Sequence, residues 1–179
     1  VSGVHEGSDG MVLTIAKHFP GLGSSDRKAT EEVATVQKSL QELRQMELAP
    51  FFAVTEATPA GRAGVVDGLM TSPLIRYRGF QGNIRQLTRP IGLDSEGLTA
   101  LMALPEFESW RRDGILVSGP LGLPAVRKFY EAQGRLFPHR SIAQEALLAG
   151  NDLIYLADFA AEDDWQLQVA NIKDALFYF

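Results

Sequence analysis

Cysteine is absent from all 179 residues, which excludes disulfides, thiol nucleophiles, iron–sulfur clusters and thiolate zinc sites together. Histidine is scarce. His5, His18 and His139 stand far apart in the chain, so a histidine-rich metal site is not expected, and no motif asks for a cofactor. Positive charge is in deficit: 17 Lys and Arg face 22 Asp and Glu, for a formal charge of −5, which argues against nucleic-acid binding through a broad basic face. Long apolar runs are missing too. None approaches the roughly 18 residues needed to cross a membrane, and no signal-peptide order opens the chain at Val1. The compartment stays open, with the cytoplasm favoured. What is present is an ordinary globular composition, 45% hydrophobic and 22% charged, in a chain long enough for one domain with a real core.

Four apolar runs read as strands: residues 11–16 (MVLTIA), 65–71 (VVDGLMT), 114–118 (GILVS) and 152–159 (DLIYLADF). They are near-continuous rather than alternating, as suits parallel strands covered on both faces. Helical patterns lie between them. Val33, Val36, Leu40, Leu43 and Met46 recur at spacings of three and four, which predicts an amphipathic helix. Leu98, Leu101, Met102 and Phe107 mark a second, beginning near Ser95, and residues 125–131 and 142–148 mark two shorter ones. Val169, Ile172, Leu176 and Phe179 form a last stripe. The resulting order of alternating strands and helices predicts an α/β fold of parallel βα units with right-handed crossovers.

Two loops connect these elements, residues 58–64 (TPAGRAG) and 77–90 (YRGFQGNIRQLTRP). The second gathers Arg78, Arg85 and Arg89, with Arg76 just before it and Tyr77 and Phe80 among them. It reads either as a solvated loop or as a lid that contacts an anion or a sugar. The first strand runs into Lys17-His18-Phe19-Pro20-Gly21-Leu22-Gly23. Residues at the carboxyl end of a parallel strand project into the cleft where α/β proteins bind ligands, and Lys beside His offers several donors to oxygen atoms. The plainer reading is a snorkelling Lys and a His satisfying a carbonyl. As a phosphate cradle the segment is weak, because Gly21-x-Gly23 lacks the third glycine and no Gly-Lys-Ser/Thr follows.

Taken whole, residues 16–23 (AKHFPGLG) resemble the KHFPGHG motif of family 3 glycoside hydrolases, in particular the β-N-acetylhexosaminidase branch. The similarity continues in order along the chain. Residues 39–51 resemble the family's helix ending in Leu-Pro-Phe, 67–71 (DGLMT) its next strand, and Arg89-Pro90 with Leu93 and Ser95 the opening of the following helix. Residues 113–121 (DGILVSGPL) resemble the nucleophile strand, and 149–156 (AGNDLIYL) the Ala-Gly-Ala-Asp strand after it. The resemblance implies a (β/α)₈ barrel of TIM type with a sugar site at the carboxyl ends of its strands. It also implies a retaining mechanism, with a carboxylate nucleophile and an acid/base about 5 Å apart. By the same resemblance Lys17 and His18 match the pair that hydrogen-bonds sugar hydroxyls.

The catalytic groups do not carry over. Where the family has Ser/Thr-Asp-Asp-Leu, this chain reads Ser118-Gly119-Pro120-Leu121, so Gly119 holds the nucleophile position. The Asp-x-His dyad of the hexosaminidase branch falls on Lys28 and Thr30, and the motif's second His is Leu22. A lysine ammonium donates a proton poorly near neutral pH, and Asp26, two residues before Lys28, is the substitute that a loop shift would offer. Four strands cannot close an eight-stranded barrel. Residues 1–179 are therefore expected to be the carboxyl-terminal half of such a barrel, with the other half outside this sequence or replaced by self-association. Three functions follow: an impaired or inactive relative of enzymes that remove terminal β-N-acetylglucosamine, a sugar-binding pseudoenzyme, or, outside carbohydrates, a small flavodoxin-like protein holding an anion at residues 21–26.

Overall fold

The computed structural model describes residues 1–57, 64–160 and 164–178; most of the predicted 58–64 loop, and Phe179 of the last stripe, lie outside them. Three parallel strands form the central sheet. They are β1 (Ile15–Phe19), β3 (Gly68–Thr71) and β5 (Ile115–Ser118), in the spatial order β1-β3-β5. A single parallel bridge, Val117 to Leu153, continues the sheet on the far side of β5. Sequential strands are therefore spatial neighbours, as in an arc of a βα barrel. The central strands are buried almost throughout, and Gly68 fits between its neighbours because a Cβ there would stand 2.6 Å from Ile15 Cδ1 and 2.9 Å from Ile115 Cγ1. A strand covered on both faces needs this near-continuous apolar pattern.

A second, two-stranded parallel sheet pairs β2 (Ala34–Val36) with β4 (Ile75–Tyr77), and all six of its residues are buried. β4 begins four residues after β3 ends, so this ribbon stands just beyond the carboxyl ends of β1 and β3. It corrects two expectations. Val33 to Val36 do not belong to the predicted helix; Ala34–Val36 form a strand, which the stiff χ1 of β-branched Thr35 and Val36 favours, and Val33 leads into it. The helix is only α2 (Leu40–Gln45), started by a capping box in which Ser39 and Glu42 bond each other's backbone. Tyr77 likewise closes a strand rather than opening a loop.

The first and fourth strands also shift. Residues 11–13 are exposed and outside any strand, and β1 starts at Ile15 and takes in Lys17 and His18. Of the predicted strand 152–159 only the bridge at Leu153 is formed. The helices α5 (Ser95–Met102), α6 (Pro124–Glu131) and α7 (Ile142–Leu148) follow the predicted patterns, with Asp94 capping α5 and Pro124 at the first position of α6, except that Phe107 falls outside α5 in a 3₁₀ turn, Pro105–Phe107. The remaining helices are α1 (Ser2–Gly7), α3 (Ala49–Thr55), α4 (Arg78–Gln81) and α8 (Trp165–Leu176). On α8 the predicted stripe is largely in solvent: Val169 and Leu176 are exposed, and only Ala175 is buried. The core is aromatic at its centre. The Phe19 ring meets Phe51 and Phe107 edge-on at 5.1 and 5.5 Å, and buried Trp110 donates its indole N–H to Val66 O at 2.8 Å.

Candidate functional site

The carboxyl ends of the three strands form one row. Phe19 pairs with Thr71, and Thr71 pairs with Ser118. One step earlier the register of β1 breaks: Ala16 faces Leu69 and Phe19 faces Thr71, so Lys17 and His18 together oppose Met70 alone. An extra residue of this kind re-aims the side chains around it. The Lys17–His18 and Phe19–Pro20 peptides are cis. Lys17 is exposed and His18 half-buried. Burial first, and the Lys17 ammonium second, hold the His18 imidazole below its ordinary pKa of 6.5, so at neutral pH the ring is uncharged and can both donate and accept.

The turn that follows is braced from below. Gly21 returns its N–H to His18 O at 2.8 Å with φ of +116°, a conformation suited to glycine. Its carbonyl accepts the hydroxyl of buried Tyr77, and its missing Cβ leaves space that the Glu47 side chain fills, 3.1 Å away. Glu47 is itself buried and takes Lys38 Nζ at 3.0 Å. Burial, reinforced by the Glu47 charge, pushes the Tyr77 hydroxyl well above its usual pKa, so it stays a donor. Tyr77 and Glu47 thus position the segment after Lys17 and His18. Spacing in the sequence cannot reveal them, because they come from β4 and from the link between α2 and α3.

Gly119 lies immediately beyond the strand row. Its N–H donates to Thr71 O at 2.8 Å, and a Cβ built on it would stand 2.6 Å from Pro73 Cδ and 2.9 Å from Thr71 O. The hydroxyls nearby are already engaged. Thr71 Oγ1 donates to Asn151 Oδ1 at 2.6 Å, Asn151 Nδ2 donates to Gly92 O and Ala146 O, and Ser118 Oγ accepts Tyr155 N–H at 2.8 Å. Asn151, buried and fully bonded, ties the end of β3 to α7; a polar residue inside an apolar stretch was the only signal for it.

The sheet brings Lys17, His18 and Gly119 to one end, with β3 between them. The two positions that the sequence resemblance sets against the dyad lie elsewhere, on the loop between β1 and β2. Lys28 and Thr30 are both exposed there, and Lys28 meets Glu31 at 3.7 Å. Asp26 lies on the same loop. Burial opposes its ionisation, but the Thr35 N–H at 2.8 Å and the Arg27 guanidinium outweigh burial and hold its carboxyl below the usual range. A glycosidase acid needs the opposite shift.

No curated protein matches the sequence significantly. Among solved structures, a family 3 β-N-acetylglucosaminidase from a Paenibacillus species superposes with a TM-score of 0.67 at 25% identity, over 99% of this chain and 29% of that one. A β-N-acetylhexosaminidase from Beutenbergia cavernae gives 0.58 at 19% identity, over 96% of this chain and 47% of that one. A β-N-acetylglucosaminidase from Thermotoga maritima gives 0.54 at 20%, over 96% and 35%. The chain thus spans less than half the length of these relatives. Its parallel βα arc is the fold they share, and the model of the glycosyl hydrolase family 3 N-terminal domain matches residues 1–176. The chain therefore belongs to glycoside hydrolase family 3, as a domain related to β-N-acetylglucosaminidases.

Proposed function

We propose that this chain is a partial family 3 barrel whose Lys17 and His18 bind an N-acetylhexosamine-type sugar at the carboxyl ends of the strands, and that it does not hydrolyse it. The observation that carries the reading is Gly119. A covalent retaining mechanism needs a carboxylate beneath the anomeric carbon. The nucleophile position here has no side chain, and Pro73 and the Thr71 carbonyl occupy the space one would need. Proton donation is compromised as well, since Lys28 and Thr30 stand in the dyad positions and Asp26 is held ionised.

Lys17 offers a charged donor from an exposed position and His18 a neutral ring, a pairing suited to sugar hydroxyls. Neighbouring βα units, from the rest of the barrel or from a second copy of the chain, would supply the other wall. The open edge of β1 and the exposed Leu153 and Tyr155 at the opposite edge support such a completion.

The test combines binding with turnover, on the chain together with the βα units that complete its barrel. N-acetylglucosamine binding should be lost in Lys17→Ala, and an aryl N-acetyl-β-glucosaminide should not be turned over. The activated aryl leaving group needs no acid, so this substrate examines the nucleophile alone. Steady release of the aryl group, with a glycosyl-enzyme adduct in the mass spectrum, overturns the reading and makes Asp26 and Asp158 the first carboxylates to examine.

A further inference from the structure

A cavity of about 460 Å³ opens between the β2–β4 ribbon, the segment at residues 84–86 and the outer face of α6. It lies among the residues whose arginines the sequence singled out. The charges around it do not balance. Arg27 answers both acids, bonding Glu32 at 2.8 Å through Nη1 and Asp26 at 3.2 Å through Nη2. That leaves Arg76, Arg85 and Lys128 at the cavity with no carboxylate partner among the described residues. In a chain of net charge −5, four cations against two carboxylates on one concavity are a local reversal of sign.

Arg76 is the unusual member. It is only 8% exposed, on a strand whose pairing with Thr35 fixes its backbone. Nε donates to Thr88 O at 2.6 Å and Nη2 to Gln86 O at 2.7 Å, which locks the guanidinium plane. The group lies over the Phe129 ring, 5.5 Å from its centroid. Nη1 has no hydrogen bond among the described residues, although the residue lines the cavity. Carbonyl dipoles, the Phe129 ring face and the charge of Asp26 compensate this buried cation but leave Nη1 without a bond, and an oxyanion placed against Nη1 would supply one. Exposed Arg85 and Lys128 flank the same space from the loop and from α6. Val33, Ala125 and Phe129, all buried, supply an apolar part of the wall, and Asp26 and Glu32, both held by Arg27, line another part.

We propose that this cavity binds a small organic oxyanion, its phosphate or carboxylate head held by Arg76, Arg85 and Lys128 and its apolar or ring portion laid against Phe129. The volume suits a small molecule, and the negative net charge disfavours a nucleic acid. The bound anion joins β4 and the segment at residues 84–86 to α6. The site is independent of the sugar reading.

The experiment titrates the 179-residue chain at low salt with phenyl phosphate, benzoate, inorganic phosphate and phenol, followed by calorimetry and by amide resonances. Phenyl phosphate or benzoate should saturate, shifting resonances at residues 33–37, 84–86 and 125–129, and should bind more tightly than inorganic phosphate; phenol should do nothing. Tighter binding of phenyl phosphate than of benzoate assigns a phosphate ligand, the reverse a carboxylate, and either supports the site. Arg85→Ala and Lys128→Ala alter exposed side chains without disturbing the fold, and each should weaken binding roughly threefold or more. Arg76→Lys keeps the charge but loses the fork and should weaken it further. Phenol binding as well as the anions do, shifts confined to residues 17–23, absence of saturation, or variants that bind like the parent each overturn the proposal.

Discussion

Gly119 and Pro73 are packed so closely that no side chain fits at Gly119 unless its neighbour moves. A Cβ on Gly119 would come within 2.6 Å of Pro73 Cδ. Gly119→Asp should therefore not restore a nucleophile. It should cost about 1–3 kcal/mol of stability, the range for forcing extra atoms into a packed site. Adding Pro73→Ala should recover part of that loss but not all, because Thr71 O stays 2.9 Å from the same point. Denaturant unfolding of the two variants checks both statements, and a single variant as stable as the parent would contradict the crowding.

The His18 ring should titrate below 6.5, since burial and then Lys17 both disfavour its protonated form. Lys17→Met removes the smaller of the two causes. It should raise the pKa without returning it to 6.5, because burial remains. The unfolded chain binds the proton more readily than the folded one, so this residue's contribution to stability is whole above about 6.5 and declines as the pH falls toward the folded-state pKa. An NMR titration of the imidazole in both chains measures the shift directly.

Asp67 holds the amino-terminal segment to the base of the sheet. Its Oδ2 accepts the Thr14 N–H at 2.6 Å, the Thr14 hydroxyl at 2.9 Å and His5 Nε2 at 2.9 Å. Burial works against the ionised form, yet these bonds prevail and keep the carboxyl below its usual range. A depressed carboxyl stabilises the fold above its unfolded pKa of about 3.9 and loses that effect as acid is added. Asp67→Asn should cost about 1–2 kcal/mol at neutral pH. Its stability should also fall less steeply than the parent's below about pH 4, as thermal unfolding across pH will show.

Gly114 sits against the indole of Trp110, where an added Cβ would overlap the ring. Gly114→Ala should displace Trp110 from its bond to Val66 O and lower stability by about 3 kcal/mol, with a change in tryptophan emission. Gly82→Ala meets nothing within 4 Å but carries a φ of +67°, and it should cost about 1 kcal/mol through its backbone alone. Comparing the two unfolding curves separates packing from conformation.

Periodicity along the chain identified β3, β5, α5, α6 and α7, because their buried faces are made of residues close in sequence. The motif at residues 16–23 identified the family, because the turn, the Lys–His pair and the glycines are contiguous. The same local reading failed at Val33–Val36, where the spacing of three and four suited a helix. What makes that segment a strand is its partner β4, about 40 residues further on, and no short-range pattern contains a partner. Gly119, where the resemblance sets the family's nucleophile, was legible as a letter. That Pro73 fills the space beside it, that Tyr77 and Glu47 brace the turn at Gly21, and that Arg76 is buried with one nitrogen unbonded were decided only by the tertiary structure. Each depends on side chains that the crossovers bring together from distant strands, and those contacts exist only once the sheet has set its register.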